Sequence, residues 1–178
     1  MIEVSPIKRT LKICHTNYFL NLPKTRFCFF IDNLCVTYVY MCFVDEQENL
    51  LIPKLNNINS NLEICCPKAK STNIDSLIKE QLELFYNSEF TSDYEQPQKY
   101  YEYWQQLTKQ NKYPKFEVIT NCSKIKFDLN PSLDLQLEAV RQNGKAIQFI
   151  KNPSLEVQLE AGNDANLYKN PSSEIILH

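Results

Sequence analysis

The stretch from residue 26 to residue 44 constrains the fold of this 178-residue chain more than any other part of its sequence. Residues 26–31 and 34–44 are rich in Phe, Val, Tyr, Ile and Cys, and the polar pair Asp32-Asn33 separates them. Aromatic and β-branched residues favour strands, and a short polar interruption between two such runs favours a tight turn. The stretch therefore predicts a β-hairpin.

More strand-like segments follow the hairpin. Residues 45–49 form a polar turn, residues 50–52 a short apolar strand, and an Asn-rich turn then leads into residues 62–66. This succession predicts an antiparallel sheet of four consecutive strands in meander order.

The hydrophobic period changes after Pro67. Apolar residues at three- and four-residue spacing predict an amphipathic helix over residues 74–86, with Asn73 or Thr72 as its cap. A second helix is expected over residues 99–110, with an aromatic face whose spacing is typical of core packing. Together these patterns predict an α+β domain in which helices flank the sheet.

Charge and glycine content limit the function classes. The net charge is −2 with no long block of one sign, which argues against nucleic acid or an anionic membrane as the main partner. No apolar run approaches the ~20 residues of a membrane span, and the N-terminus lacks the parts of a secretory signal. Two glycines are too few for phosphate-cradling loops, so we expect no nucleotide cofactor.

Seven cysteines form an odd set without a signal peptide, which indicates reduced thiols and a cytoplasmic protein. Cys28, Cys35 and Cys42 recur every seven residues in apolar sequence and are expected to pack in strands. The paired Cys-x(2–4)-Cys spacing of structural zinc sites is missing from the sequence, so no metal is expected.

The C-terminal part of the chain contains a repeat. Residues 130–139 recur with conservative changes as residues 152–161, and a third Asn-Pro-Ser stands at 170–172. Each copy predicts a helix start with Asn as the cap and Pro at the first position. Gly144 is expected to close the first helix in the left-handed conformation, and residues 146–151 to form a second short helix.

The repeats resemble a bacterial family with the pattern Asn-Pro-Ser-x-x-x-Gln-Leu-x-Ala-Val-x-x-Asn-Gly. Short helical repeats commonly stack into docking surfaces. We therefore expect a main domain over residues 1–125 and a short helical repeat tail over residues 126–178 that binds a protein partner.

One run carries candidate chemistry. Asn57 lies eight residues before Cys65, and a side-chain amide close to a thiol can stabilise the oxyanion that forms when a thioester is attacked. The run resembles the active-site flap of ubiquitin-conjugating enzymes, with Leu55-Asn56 where that family has His-Pro and Leu62 where it has a glycine after the turn.

A second likeness is more specific. The core is similar to prokaryotic ubiquitin-conjugating-like proteins of family D, which include protein B of the plasmid-borne PRTRC cassette. The landmarks occur in the same order and are Asn57-Ile58, Ile64-Cys65, residues 85–91, Trp104 and Tyr113-Pro114. The resemblance spans residues 27–119 and implies a compact ubiquitin-conjugating-like fold.

This likeness implies that Cys65 carries a ubiquitin-like modifier as a thioester and passes it to an amine, with Asn57 stabilising the oxyanion. It also implies a ThiF-type activating enzyme and a ubiquitin-like modifier as partners. His15 is too far away in the chain to be counted as a general base. Adjacent residues of a strand point to opposite faces, so Cys65 is expected to be exposed and Cys66 buried.

Two other functions remain open. The same fold can act without catalysis, as an adaptor in a plasmid, phage or mobile-element system. Alternatively, the domain can be a structural piece of a larger assembly, with residues 94–103 as an aromatic contact surface.

Overall fold

The computed structural model describes residues 1–91, 98–120 and 122–162. The chain divides into a compact unit over residues 1–118 and a second unit that begins at Ile119. The expected third Asn-Pro-Ser at 170–172 and the part of the expected aromatic surface at residues 94–97 lie outside the described residues.

The first unit contains a four-stranded antiparallel sheet. Its strands are β1 (Ile2–Val4), β4 (Lys24–Asp32), β5 (Cys35–Val44) and β6 (Leu50–Leu51), in the order β1-β4-β5-β6. The predicted hairpin is confirmed as β4 and β5, which pair antiparallel. Asn33 and Leu34 join them with φ of 48° and 56°, as in the two-residue turns whose twist matches that of the strands.

The expected strand over residues 62–66 is wrong. This segment follows β5 through a bridge between Tyr40 and Glu63 and through hydrogen bonds of Leu62 O and Ile64 N to the β5 backbone. Leu62 has a φ of 65°, which interrupts any extended run at that point. The segment is therefore a loop held against the sheet.

A second sheet at the N-terminus has no counterpart in the sequence predictions. β2 (Ile7–Ile13) and β3 (Thr16–Leu22) form an antiparallel hairpin, and β7 (Glu89–Phe90) joins β2 in parallel. The hairpin turn consists of Cys14 and His15, both with positive φ. Since Cys-His is not a turn sequence, the usual hairpin signal is missing here.

Both predicted helices of the first unit are confirmed. α1 spans Ile74–Asn87, and its cap Asn73 accepts a hydrogen bond from the backbone N–H of Ser76. α2 spans Gln98–Lys109 and buries Tyr101 and Trp104 against the sheets. Trp104 contacts Phe43 and Phe116 edge-on, so the aromatic face of α2 is core packing, as predicted.

The second unit is helical. It contains a 3-10 helix over Cys122–Phe127, α3 (Leu133–Gln142), a 3-10 helix over Gly144–Phe149, and α4 (Leu155–Glu160). These elements share a small apolar core of their own that includes Val157, Ala139 and Val140.

The helix starts of this unit differ from the prediction. Ser132 and Ser154, rather than the asparagines, are the caps, and their hydroxyls accept from the N–H of Leu135 and Val157. The prolines precede the caps and lie outside the helices, and their carbonyls accept from the side chains of Gln136 and Gln158.

Gly144 also differs from the prediction. Asn143 closes α3, and Gly144 begins the next 3-10 helix instead of taking the left-handed position. A Cβ at Gly144 would lie 2.3 Å from the carbonyl oxygen of Ala161, so this glycine is needed for a close backbone approach.

The described parts of the chain thus form a mixed α/β structure. No helix among them is long and apolar enough to cross a membrane.

Candidate functional site

The loop around Cys65 is fixed by asparagines. Asn59 Oδ1 accepts from the N–H groups of Asn61 and Glu63, which closes a tight turn. The turn returns the chain so that the N–H of Cys65 donates to the carbonyl of Asn57 over 2.7 Å. Cys65 is exposed at the end of this loop.

Asn57 and Cys65 are therefore neighbours through their backbones. The Asn57 side chain is buried and lies against the start and end of β7, where its Oδ1 accepts from Thr91 N over 3.0 Å and its Nδ2 donates to Glu89 O over 3.1 Å. A buried amide with both ends paired to backbone groups anchors the loop. The side-chain amide is thus directed at β7.

Cys66 is the more buried of the two adjacent cysteines. Gln81, which is itself buried in α1, donates from Nε2 to Cys66 Sγ over 3.2 Å and to Pro67 O over 2.9 Å. Burial raises the pKa of the Cys66 thiol. Cys65 is therefore the exposed member of the pair, as expected from the sequence.

The other cysteines of the strands are packed. Cys28 and Cys42 are buried, and burial raises the pKa of Cys28 to about 11 and that of Cys42 to about 12. Cys35 is half-buried at the start of β5. Among the cysteines whose exposure the structure describes, Cys14 and Cys65 are the exposed ones.

Several polar residues that sequence reasoning missed lie around Cys14. Asn56 Nδ2 donates to Cys14 Sγ over 3.3 Å, and the hydroxyl of Tyr101 donates to Asn56 Oδ1 over 2.6 Å. His15, which looked remote in the sequence, has its Nδ1 2.6 Å from Glu89 Oε1. These contacts join residues 42 to 74 positions apart in the chain, so spacing alone gave no signal for them.

Glu89 links this turn to the loop of Cys65. Its carboxylate pairs with Lys12 and His15, and its carbonyl accepts from Asn57. The hydrogen bond from Lys12 holds the pKa of the Glu89 carboxyl below its ordinary value.

A small open groove of about 260 Å³ lies beside the chain just after the two cysteines. It is lined by Pro67, Glu80, Glu83, Leu84, Asn87 and Ser88. Small-molecule pockets usually have volumes of about 300–1,000 Å³, so the groove has the size for a single side chain rather than for a larger ligand.

Within the described residues, no group of three or more His, Cys, Asp or Glu side chains is arranged to hold a metal ion. Comparison of the chain with protein-family models, with curated proteins and with solved structures gave no match.

Proposed function

We propose that this protein is ubiquitin-conjugating-like, carrying a ubiquitin-like modifier as a thioester on Cys65 and transferring it to an amine. The observation that carries the proposal is an exposed Cys65 thiol at the end of a fixed loop, bonded through its backbone to Asn57. An accessible thiol on a rigid support is what an acyl carrier requires.

The backbone at Leu62 supports the resemblance to the flap. Leu62 occupies the position at which ubiquitin-conjugating enzymes have a glycine after the turn, and its φ is 65°. Left-handed backbone at this value is the conformation that favours glycine. The loop of this chain thus has the local geometry that the family's glycine permits.

The chemistry is an acyl transfer. A ThiF-type activating enzyme would load Cys65 by passing the modifier's acyl group to the sulfur. The nitrogen of an acceptor amine then attacks the carbonyl carbon, the C–S bond breaks, and the departing Cys65 thiolate takes up the proton that the amine loses. The acidic groove beside Pro67 supports an amine acceptor, because Glu80 and Glu83 favour a cation there. The C-terminal helical part would contribute a protein-binding surface.

The experiment combines the purified chain with a ThiF-type activating enzyme, a ubiquitin-like modifier and ATP. We expect an adduct that a reducing thiol removes, and with Cys65→Ser an oxyester that resists the thiol. Cys66→Ser is the matched control and should leave the adduct unchanged. Lack of any thiol-sensitive adduct on the wild-type chain would contradict the proposal.

A second function is a ubiquitin-conjugating-like adaptor without catalysis, acting in a plasmid, phage or mobile-element system. The observation that favours it is that the Asn57 amide is paired with the β7 backbone rather than directed at the thiol. Titration with iodoacetamide separates the two functions. Fast alkylation of Cys65 at neutral pH favours the acyl carrier, and slow alkylation favours the adaptor.

A further inference from the structure

The pairing of an amide with a thiol, which the sequence predicted for Asn57 and Cys65, occurs in the structure at Asn56 and Cys14. The thiol is exposed in the turn between β2 and β3, and Asn56 Nδ2 lies 3.3 Å from Cys14 Sγ. An amide NH₂ has two N–H donors, so one can contact the sulfur while the other is available to an oxygen on the attacked carbon.

A hydrogen bond to its oxygen holds the Asn56 amide in this orientation. The hydroxyl of Tyr101 donates to Asn56 Oδ1 over 2.6 Å, and the Tyr101 side chain is 1% exposed, in the core beside Tyr18. With its oxygen bound to the Tyr101 hydroxyl, the amide presents its NH₂ group to Cys14. A donor fixed before the reaction costs no reorganisation when charge develops.

The Cys14 thiol also lies 3.8 Å from the carbonyl oxygen of Phe90, and the next residue of the turn is a histidine that pairs with a carboxylate. His15 follows Cys14 in the two-residue turn, and Glu89 Oε1 is 2.6 Å from its Nδ1. A carboxylate at Nδ1 keeps the proton on that nitrogen and leaves Nε2 as the basic one. Lys12 pairs with the second oxygen of Glu89 and fixes the carboxylate in place.

The turn adopts an unusual backbone to bring these groups together. Cys14 and His15 have φ of 45° and 65°, in the region that Asn and Gly normally fill in such turns. Left-handed conformations at residues other than glycine cost of order 1–3 kcal/mol each and persist only where the surroundings impose them. Here the carbonyl of Phe90 accepts from Cys14 N, and Glu89 Oε1 accepts from His15 N.

We propose that Cys14 is a second acyl-accepting thiol, with Asn56 as the oxyanion donor and His15 as the base, and that its substrates are acyl thioesters. The thiol proton passes to His15, and the sulfur attacks the carbonyl carbon of the thioester. The oxyanion forms beside Asn56 and collapses, the bond to the donor sulfur breaks, and the donor thiolate takes up the proton. Nothing is oxidised or reduced in this exchange.

The site goes beyond the proposed function because it requires neither a modifier nor an activating enzyme. The test therefore uses a small thioester, S-phenyl thioacetate, with the intact reduced chain at neutral pH. Mass spectrometry of the digested protein gives the acetylation rate of each cysteine. Cys35 is the internal control for the reagent, because it follows a two-residue hairpin turn and its Sγ contacts the carbonyl of Asn33. Since Cys35 is half-buried and Cys14 exposed, the comparison of Cys14 with and without Asn56 is the decisive one.

We expect Cys14 to be acetylated faster than Cys35, and Asn56→Ala to slow Cys14 by about tenfold or more. Loss of one buried oxyanion donor costs an enzyme ~10²–10³ in rate, and the effect is smaller at an exposed site. His15→Gln should also slow Cys14, and Tyr101→Phe should act in the same direction as Asn56→Ala by releasing the amide. Rates at Cys35 should not change.

Equal rates at Cys14 and Cys35 in the wild-type chain would overturn the proposal, as would a Cys14 rate that Asn56→Ala leaves unchanged. Unfolding of a variant is recognised without a separate assay, because exposure of the buried Cys28 and Cys42 would make them react as well. Failure of Cys65 to form an adduct with the partner proteins leaves this result unaffected, so the two proposals fail separately.

Discussion

At the scale of single residues, Leu62 combines two opposing effects. Its left-handed backbone costs about 1–2 kcal/mol, whereas its side chain, 3% exposed, gains the free energy of burial. Leu62→Ala keeps the strain and loses the burial, so we expect it to lower the free energy of unfolding by about 2–5 kcal/mol. Leu62→Gly loses the same burial but relieves the strain.

The prediction is therefore that Leu62→Gly is the more stable of the two variants, by about 1 kcal/mol. Urea unfolding followed by circular dichroism measures both values. A glycine variant that is less stable than the alanine variant would show that residue 62 is not left-handed in solution.

Asn57 gives a second prediction at this scale. Its side chain pairs with the N–H of Thr91 and the carbonyl of Glu89, which lose those partners in Asn57→Ala. Each lost hydrogen bond contributes about 0.5–1.5 kcal/mol, and both partner groups are only partly buried, so we expect the free energy of unfolding to fall by about 1–3 kcal/mol. Cys65→Ser, at an exposed position, should change it by less than about 0.5 kcal/mol. Equal stability of the two variants would mean that Asn57 does not anchor the loop.

At the scale of elements, the structure shows which of two candidate residues caps each α-helix of the second unit. The sequence did not determine this choice. Asn130 and Ser132 are both residue types that cap helices well. Asn130 is the cap if Pro131 is the first helical residue, and Ser132 is the cap if Pro131 lies outside the helix. In the structure the Ser132 hydroxyl caps the helix, α3 begins at Leu133, and Pro131 O accepts from the Gln136 side chain.

We expect Ser132→Ala to destabilise the second unit by about 1 kcal/mol, the usual value of a lost cap, and Asn130→Ala to cost less than half of that. Chemical denaturation of both variants, followed by far-ultraviolet circular dichroism, measures the difference. If Asn130→Ala costs as much as Ser132→Ala, the helix begins at the proline after all.

The elements that the sequence predicted well have local causes. β4, β5, α1 and α2 were predicted because their turns, caps and hydrophobic periods lie within the segments themselves. The hairpin of β2 and β3 was missed because the backbone N–H groups of its turn, Cys14-His15, are bound by Phe90 and Glu89, which are distant in sequence. A turn imposed from outside leaves no signature in its own residues.

At the scale of the whole molecule, the difference between local and distant contacts also distinguishes the exposed thiols of Cys65 and Cys14. The closeness of Cys65 to Asn57 was predictable because a short loop joins them, but the direction of the Asn57 side chain was not, since β7 determines it. The contacts of Cys14 require β2, β3, β7 and α2 to be in place together. Sequence spacing therefore identifies residues that are neighbours within one loop. It does not identify neighbouring residues that belong to different strands and helices.

The buried thiols of the first sheet make the protein less stable at alkaline pH. Burial raises the pKa of Cys28 to about 11 and that of Cys42 to about 12, from an ordinary value of 9.0. The folded state holds these protons more tightly than the unfolded state, so the stabilisation is fully present below pH 9 and is lost as the pH rises through 11 and 12. At about 1.4 kcal/mol for each pH unit, these rises correspond to roughly 3–4 kcal/mol per thiol.

We therefore expect the free energy of unfolding, measured with urea under reducing conditions, to fall steeply above pH 9 in the wild-type chain. The double variant C28A/C42A should be less stable at neutral pH because of the lost packing, but its stability should fall less steeply between pH 9 and pH 11. Part of the slope should remain, because burial also raises the pKa of Tyr40, to about 12. An unchanged slope in the double variant would show that the two thiols ionise in the folded sheet as readily as in the unfolded chain.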